Sequence, residues 1–512
     1  MRKLFVLFMI FALVFSLGFA VKDGGILKQA LEEDPPTLDP AYASDVAPGQ
    51  LGALIFDGLL RYDYYSTKNV PCLAESYEAS ADAKEYLFHL RKGVKFHNGE
   101  EMKASDVKYS FERILRPETK SPMTWLFDMI EGAQDVIDGN AENATGIEVI
   151  DDYTLKITLS KPYAPFLKHL AMPSACIVPQ SVAEEHGEMF SEYAIGTGPF
   201  KIKEWKHDIH LEFEANLDYF EGRPHLDGVL YKIIPDELVR IAEFEAGNLD
   251  IASIPDAEFD KWTNDPEWTP YIVHMASLNT YYMGMSYNHP LLSNLRVREA
   301  IALAIDRKKI LETVRLGRGV LAHQMLPPGI EGYDSTVDIP YDPAKAMQIL
   351  QEEGATGMEF ELWTTTSSSV QRITEAIQAY LAMVGINVKL VRNDYSVFRS
   401  AVINGQPDAY WYSWWADFAD PYNFLFIFRD YKGRLNFDDP EYDALIDKLE
   451  TETDYAKQME LVKEITEIFL KDLPVIPFYH LDSYTLYQPW VHDLIIHTIY
   501  NGDKYMTVWM DK

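Results

Sequence analysis

The sequence predicts an α/β protein built on more than one core, with mixed sheets flanked by helices, and three observations carry that reading. Short runs alternate apolar and polar residues, as at Tyr86, Phe88 and Leu90 or Tyr153, Leu155, Ile157 and Leu159, which is the period-two pattern of a half-buried strand. From about residue 275 onward, amphipathic helical runs stop at glycine and lead into short strands, the grammar of α/β folds. The chain has 512 residues, well beyond the roughly 250–300 at which a single core stops growing.

Taken in order, residues 1–20 differ from the rest. A basic head, MRK, precedes the apolar run LFVLFMIFALVF and the small-x-small ending GFA. That pattern predicts an export signal cleaved after Ala20, the run being shorter than the roughly 20 residues a spanning helix needs. The segment holds no cysteine for lipid attachment, so the mature chain is expected to be free and periplasmic, not a lipoprotein. The stretch EYLFHLRKGVKFHNGE reads as a hairpin whose turn is Asn98-Gly99. ASDVKYSFERIL reads as a helix capped by Ser105 or Asp106. With the strand at 153–159 these make residues 63–190 a small mixed unit.

Gly196-Thr197-Gly198-Pro199 reads as a turn, followed by the strand-like FKIKEW, HLEFEA and GVLYKIIP. LRVREAIALAIDRKKILETV reads as one helix with Val297, Ala300, Ile301, Ala304 and Leu311 on one face. YDPAKAMQILQEEG has Asp342 as N-cap, Pro343 at the first helical position and Gly354 past the end, and VQRITEAIQAYLAMVG stops at Gly385 before the strand INVKLV. No flexible linker separates these parts.

Composition removes several functions. Hydrophobic residues make up 47% and charged residues 24%, values of a folded soluble protein. A net charge of −33 argues against nucleic acid or anionic lipid as partner, because both demand basic patches. Cys72 and Cys176 could pair or stay thiols, and neither has a CxxC spacing. There is no HExxH helix, no GxSxG elbow and no phosphate-binding GxxxxGK[ST] loop. His89 and His97 lack a third ligand and read as solvated strand histidines. No metal, cofactor or catalytic residue is therefore expected.

One stretch resists a purely structural reading: YWYSWWADFADPYNFL, residues 410–425. As a strand, Tyr410, Tyr412 and Trp414 share one face and Trp411 and Trp415 the other, with Trp411 assigned to the core. Asp420 precedes a proline and reads as a helix N-cap. Asp417 has no such local use. A carboxylate among rings is costly to desolvate unless a cation meets it, either a ligand's ammonium or a neighbouring Lys or Arg, and the remaining alternative is that Asp417 simply caps the loop.

Motifs along the mature chain resemble those of the family 5 extracellular solute-binding proteins. They include DPPTLDP at 34–40, the block from Leu73 to Leu115, GTGPFKIKEW, YFEGRPHLDGV, AGNLDIA and YDPAKAMQILQEEG. The resemblance implies a two-lobed periplasmic binding protein fold, with an extra inserted domain in the first lobe and a ligand cleft between the lobes. It implies a first lobe of residues 21–62, 191–273 and 484–512, an inserted domain of 63–190 and a second lobe of 274–483. The family's W-x-x-D-x-x-[DE]-P segment matches Trp414 to Pro421, which gives Asp417 the role of binding a peptide's α-ammonium, with Trp414, Trp415 and Ser413 beside it. The implied function is not enzymatic: a monomeric receptor captures short peptides and delivers them to the permease subunits of an ABC transporter. Oligosaccharide binding on the same fold, and more distantly a secreted hydrolase, are the rival readings.

Overall fold

The computed structural model describes residues 21–499 and 502–512, so the export signal expected at 1–20 lies outside the described residues. Two four-stranded sheets lie in the amino-terminal half. In one, Ile26–Leu31 runs parallel to Gly228–Ile233, and His210–Ala215 and Phe200–Lys206 follow antiparallel. The other is wholly antiparallel, in the order Ala74–Ala79, Glu85–Leu90, Thr154–Thr158, Ile147–Asp151. The strand at 85–90 was expected to form a hairpin with residues 94–96, and here the structure differs. Its partners are Ala74–Ala79 and Thr154–Thr158, while Val94 and Phe96 are buried in a tight loop closed by the Phe96 N–H to the Glu100 carbonyl. Gly99 takes φ 91° in that loop, so the turn was legible and the strand pairing was not.

A six-stranded mixed sheet dominates the carboxy-terminal half, in the order Val320–Leu321, Val475–His480, Asn279–Met285, Ala409–Trp415, Glu359–Thr365, Asn387–Asn393. One face packs on helices Leu295–Ala304, Pro343–Glu352 and Ser368–Met383. The other packs on Tyr395–Ile403, Pro440–Thr451 and Tyr455–Asp472, in a core continuous with that of the 73–177 region. Each expected cap of the Pro343 helix is present: Asp342 accepts from the Lys345 N–H at 2.9 Å, and Gly354 follows the helix with φ 66°.

Two other helices depart from their sequence reading. The single helix expected from Leu295 breaks at Ile305, where Asp306 caps a second helix, Arg307–Thr313, by accepting from the Lys309 N–H at 2.8 Å. In the helix Ala104–Leu115, Asp106 sits one turn inside and its carboxylate reaches back to the Lys103 N–H at 2.9 Å, so neither Ser105 nor Asp106 is the N-cap. Both are competitions that an internal carboxylate wins locally.

The glycine-proline turn at 196–199 is structural. A Cβ on Gly196 or Gly198 would fall within 2.2 or 2.5 Å of the Ile55 and Leu54 backbone, so only glycine lets the turn close on the helix Val46–Ile55. His97 is not solvated as expected. It is half-buried, bonded through its ring nitrogens to the Gly198 carbonyl at 3.0 Å and the Gly196 N–H at 3.4 Å, and burial pushes its pKa down to about 4. His89 faces Glu78 at 3.6 Å. Cys72 and Cys176 are both free thiols, and the Cys72 thiol donates to Asp57 at 3.5 Å. Asp57 in turn is ion-paired with the buried Lys504 at 2.7 Å.

A three-stranded sheet, Ile251–Ser253, Asp482–Tyr487 and Ile272–Ala276, joins the halves. Two of its strands continue almost directly into the six-stranded sheet, Ile272–Ala276 into Asn279–Met285 and Val475–His480 into Asp482–Tyr487. Asn279 is fully buried where they cross, donating to the Leu481 carbonyl at 3.0 Å and accepting from the Leu481 N–H at 2.8 Å.

The strand opposite Ala409–Trp415 has a glycine for a packing reason. A Cβ on Gly284 would lie 2.6 Å from the ring of Tyr410, which is 1% exposed and has no room to retreat. Gly284→Ala is expected to lower unfolding stability by about 1–3 kcal/mol; chemical denaturation followed by tryptophan fluorescence measures this, and an unchanged midpoint would refute the packing account.

Candidate functional site

The aromatic strand Ala409–Trp415 loses cover along its length. Tyr410 and Trp411 are buried on opposite faces, Tyr412, Ser413 and Trp414 are half-buried, and Trp415 is 41% exposed. Trp411 belongs to the core as expected, edge-on to Phe478 with ring centroids 4.9 Å apart. The chain then leaves the sheet. The Ala416 N–H bonds back to the Leu278 carbonyl at 2.9 Å, anchoring the strand end to the first crossing. Asp420 caps the helix Pro421–Leu425, its carboxylate accepting from the Tyr422 N–H at 2.9 Å, with Pro421 at the first helical position.

Asp417 lies in the corner between strand and helix. It is half-buried, and among the described residues no Lys, Arg or His stands within ion-pair distance of it. Its partner is Asn423, which is fully buried in the first turns of the helix. The Asn423 amide donates to Asp417 Oδ2 at 3.2 Å, while its carbonyl accepts from the Asp417 N–H at 3.1 Å and from the Trp414 indole N–H at 3.2 Å. One side chain therefore fixes the carboxylate, the backbone that carries it and the neighbouring ring. Nothing in the sequence reading singled out Asn423; its signal is a polar residue at a buried position of an apolar helix.

The electrostatics follow from this enclosure. Desolvation raises the Asp417 pKa to about 6, and the Asn423 bond only partly offsets it. Desolvation raises Asp420 to about 6 as well, against the Tyr422 bond and the field of Lys168. Tyr62 and Tyr431 feel the Asp417 charge, which adds to burial in holding both phenols above their ordinary range.

A second part of the chain covers the corner. The ring of His169 stands edge-on to Phe418 at 5.0 Å and Tyr163 edge-on to Tyr422 at 6.2 Å. Lys161 pairs with Glu450 at 2.7 Å, and the Ala164 N–H bonds the Glu450 carbonyl at 2.8 Å. Of the residues expected at the site, Trp414 and Asp417 share Asn423. Ser413 and Trp415 lie on the opposite face of the strand, beside Tyr281, with the Trp415 ring centroid 6.4 Å from that of Tyr281. Among the described residues no His, Cys, Asp and Glu group could hold a metal ion, and no helix is long and apolar enough to cross a membrane.

The model of the bacterial extracellular solute-binding proteins, family 5, matches residues 68–436. The chain belongs to that family. It is similar to di/tripeptide-binding protein 1 of Pseudomonas aeruginosa, 31% identical over 497 residues that cover 91% of this chain and 90% of the relative. Heme-binding protein A of Haemophilus influenzae is likewise 31% identical, over 85% of this chain and 83% of the relative. Among solved structures it resembles the ABC transporter-associated periplasmic binding protein DppA of Helicobacter pylori in complex with peptide STSA. That likeness has a TM-score of 0.80 at 27% identity and covers 96% of this chain and 99% of the other. The fold is thus the two-lobed one of these family 5 proteins, with mixed sheets flanked by helices.

The raised pKa of Asp417 has a definite sign. A carboxyl that titrates higher in the folded chain than its ordinary 3.8 favours folding when protonated and disfavours it once ionised, so its support is lost as pH rises from about 4 through about 6. Asp417→Asn is therefore expected to raise the thermal midpoint of the unliganded protein at pH 7.5 and to leave it unchanged near pH 3.5. Differential scanning calorimetry at both pH values measures the difference, and a lower midpoint at pH 7.5 would contradict the desolvation account.

Proposed function

We propose that this protein is the extracytoplasmic receptor of an ABC importer, and that it captures short peptides by closing two lobes around them with Asp417 as the counter-charge of the α-ammonium. The observation that carries the proposal is a desolvated carboxylate, oriented by Asn423, with no cation beside it among the described residues. A peptide's ammonium satisfies that carboxylate, and in a site drained of water the attraction is far stronger than at an exposed surface. Relatives and structural neighbours named for di- and tripeptides or solved with bound peptide support the ligand class.

The export signal, cleaved after Ala20, would place the mature chain in the periplasm as a monomer, and docking on the permease would follow closure. The lobes would divide as 21–62, 191–273 and 484–512 against 274–483, with 63–190 inserted in the first. The two crossings near residues 277 and 481 are suited to act as the hinge. No bond is made or broken in this cycle, and Trp414, on the Asp417 side of the strand, would line the ligand's side chains, with Trp415 and Ser413 bordering the site from the other face.

Titration calorimetry with a pooled set of short peptides tests the anchor. Asp417→Ala is expected to weaken binding by about 2–5 kcal/mol, and N-acetylation of the peptides to do the same to the wild type; unchanged affinity in either case removes Asp417 from the role. Because the ammonium needs the ionised carboxylate, wild-type affinity is expected to fall as pH drops below about 6, by up to about tenfold per unit. Asp420, with Lys168 and Glu331 in its field, titrates in the same range. If Asp420→Asn rather than Asp417→Asn abolishes the slope, the slope belongs to the helix cap and not to the ligand.

A further inference from the structure

We propose that Lys161 and Glu450 form a latch between the two lobes that closes without ligand, so that residues which never touch the cargo help to set how long it is held. The inference rests on the division into lobes proposed above, which puts Lys161 in the inserted domain and Glu450 in the second lobe.

Among the described residues, two sets of ion pairs join residues assigned to opposite lobes. One is Asp256 with Arg315 and Arg318, and Asp256 follows the strand Ile251–Ser253 of the joining sheet, where the chain stays connected however the lobes move. The other is Lys161 with Glu450. It ties the segment after the strand Thr154–Thr158 to the last turn of the helix Pro440–Thr451, and neither element belongs to the joining sheet.

Glu450 is built to receive the inserted domain. It is 7% exposed, and its carboxylate divides its two oxygens between two cations: Oε2 takes Arg429 of its own lobe at 2.7 Å and Oε1 takes Lys161 at 2.7 Å. Its backbone carbonyl lies in the last turn of the helix, where no intrahelical donor remains, and it accepts from the Ala164 N–H at 2.8 Å. One residue therefore takes two bonds from the other lobe. Tyr163, between the two donors, stands edge-on to Tyr422, and His169 stands edge-on to Phe418, so the same segment packs on the chain beside Asp417.

A latch must also open. When the lobes part, Glu450 keeps Arg429, so no buried carboxylate is left unpaired. The Lys161 side chain is already 56% exposed and passes into water at little cost. An ion pair of that exposure shifts an equilibrium by about two- to fivefold, which suits a contact that is made and broken in every cycle. Asp128, on the Lys161 side, lies in the field of Glu450 and of Asp430. Without the lysine's charge, carboxylates of the two lobes would face each other across the seam. Every partner in the latch is a group of the protein, so it forms whether or not a ligand lies in the cleft. Lys161 is thus a positioning residue, acting on cargo through the lobe equilibrium.

Wild type, Lys161→Arg, Lys161→Met and Lys161→Glu, each stripped of bound ligand by unfolding in guanidinium and refolding, test the latch. Small-angle X-ray scattering reads the lobes. The radius of gyration of the ligand-free proteins is expected to be equal in wild type and Lys161→Arg, larger in Lys161→Met and largest in Lys161→Glu. Each protein is then loaded with pooled random tripeptides and diluted, and the peptide it retains is followed by mass spectrometry. Lys161→Met is expected to release peptide about two- to fivefold faster than wild type, Lys161→Glu faster still and Lys161→Arg at the wild-type rate, with the association rate the same in all four. The latch is overturned if the four ligand-free proteins scatter alike, if Lys161→Arg behaves as Lys161→Met does, or if the release rates agree, and in each of these cases the peptide reading stands. A wild type that retains no tripeptide removes the peptide reading, and the scattering series then decides the latch alone.

Discussion

The geometry of this molecule hangs on the place where two strands cross from one sheet into another and are sewn together by Asn279. Its buried amide pairs with both backbone groups of Leu481, so two chain passages that are distant in sequence behave as one ribbon. The ribbon also carries the site. Leu278 on the first crossing accepts the Ala416 N–H, and Asp417 is the next residue. Asp256, just after the strand Ile251–Ser253 of the joining sheet, is ion-paired with both Arg315 and Arg318. Any rotation about the crossings therefore moves the Asp417 corner with it, without a flexible loop to absorb the motion.

Enclosure comes from the opposite side. Lys161, Ala164 and Glu450 pin the 161–169 segment against the helices after the aromatic strand, and Arg429 holds Glu450 from below at 2.7 Å. Asp417 is thus half-buried between a ribbon that fixes its backbone and a clasp that packs on the neighbouring Phe418 and Tyr422. That combination is the reason its carboxyl titrates near 6. A carboxylate at the same position in an open loop would be solvated and unremarkable in its chemistry.

What the sequence could show was local. Asp420-Pro421, Asp342-Pro343, Gly354 and Gly385 each act within a few residues, and each takes the expected part. Asp417 was visible by subtraction, as the one acidic residue of its stretch with no local task. The hairpin expected at 85–99 went astray because a strand's pattern names its buried face and not its neighbour; the neighbours lie across the chain at 74–79 and 154–158. The helix from Leu295 broke because Asp306 offers a cap that hydrophobic periodicity does not register. His97 was taken for a solvated residue because its partners, Gly196 and Gly198, lie about a hundred positions away. Asn423 escaped for a related reason: its three bonds exist only once the helix folds back on the strand it follows.

The aromatic strand has a further property. Tyr410 belongs to one hydrophobic core and Trp411 to the other, while the residues from Tyr412 onward emerge progressively from both. The first half of the strand is thus a load-carrying partition, tolerant of very little, and its second half is a projecting shelf. Substitutions on the shelf need not disturb either core. A lineage could retool which cargo it accepts at positions 412 to 415 while the partition at 410 and 411 keeps the scaffold intact, and the boundary between conservative and adaptable sequence would fall within a single strand.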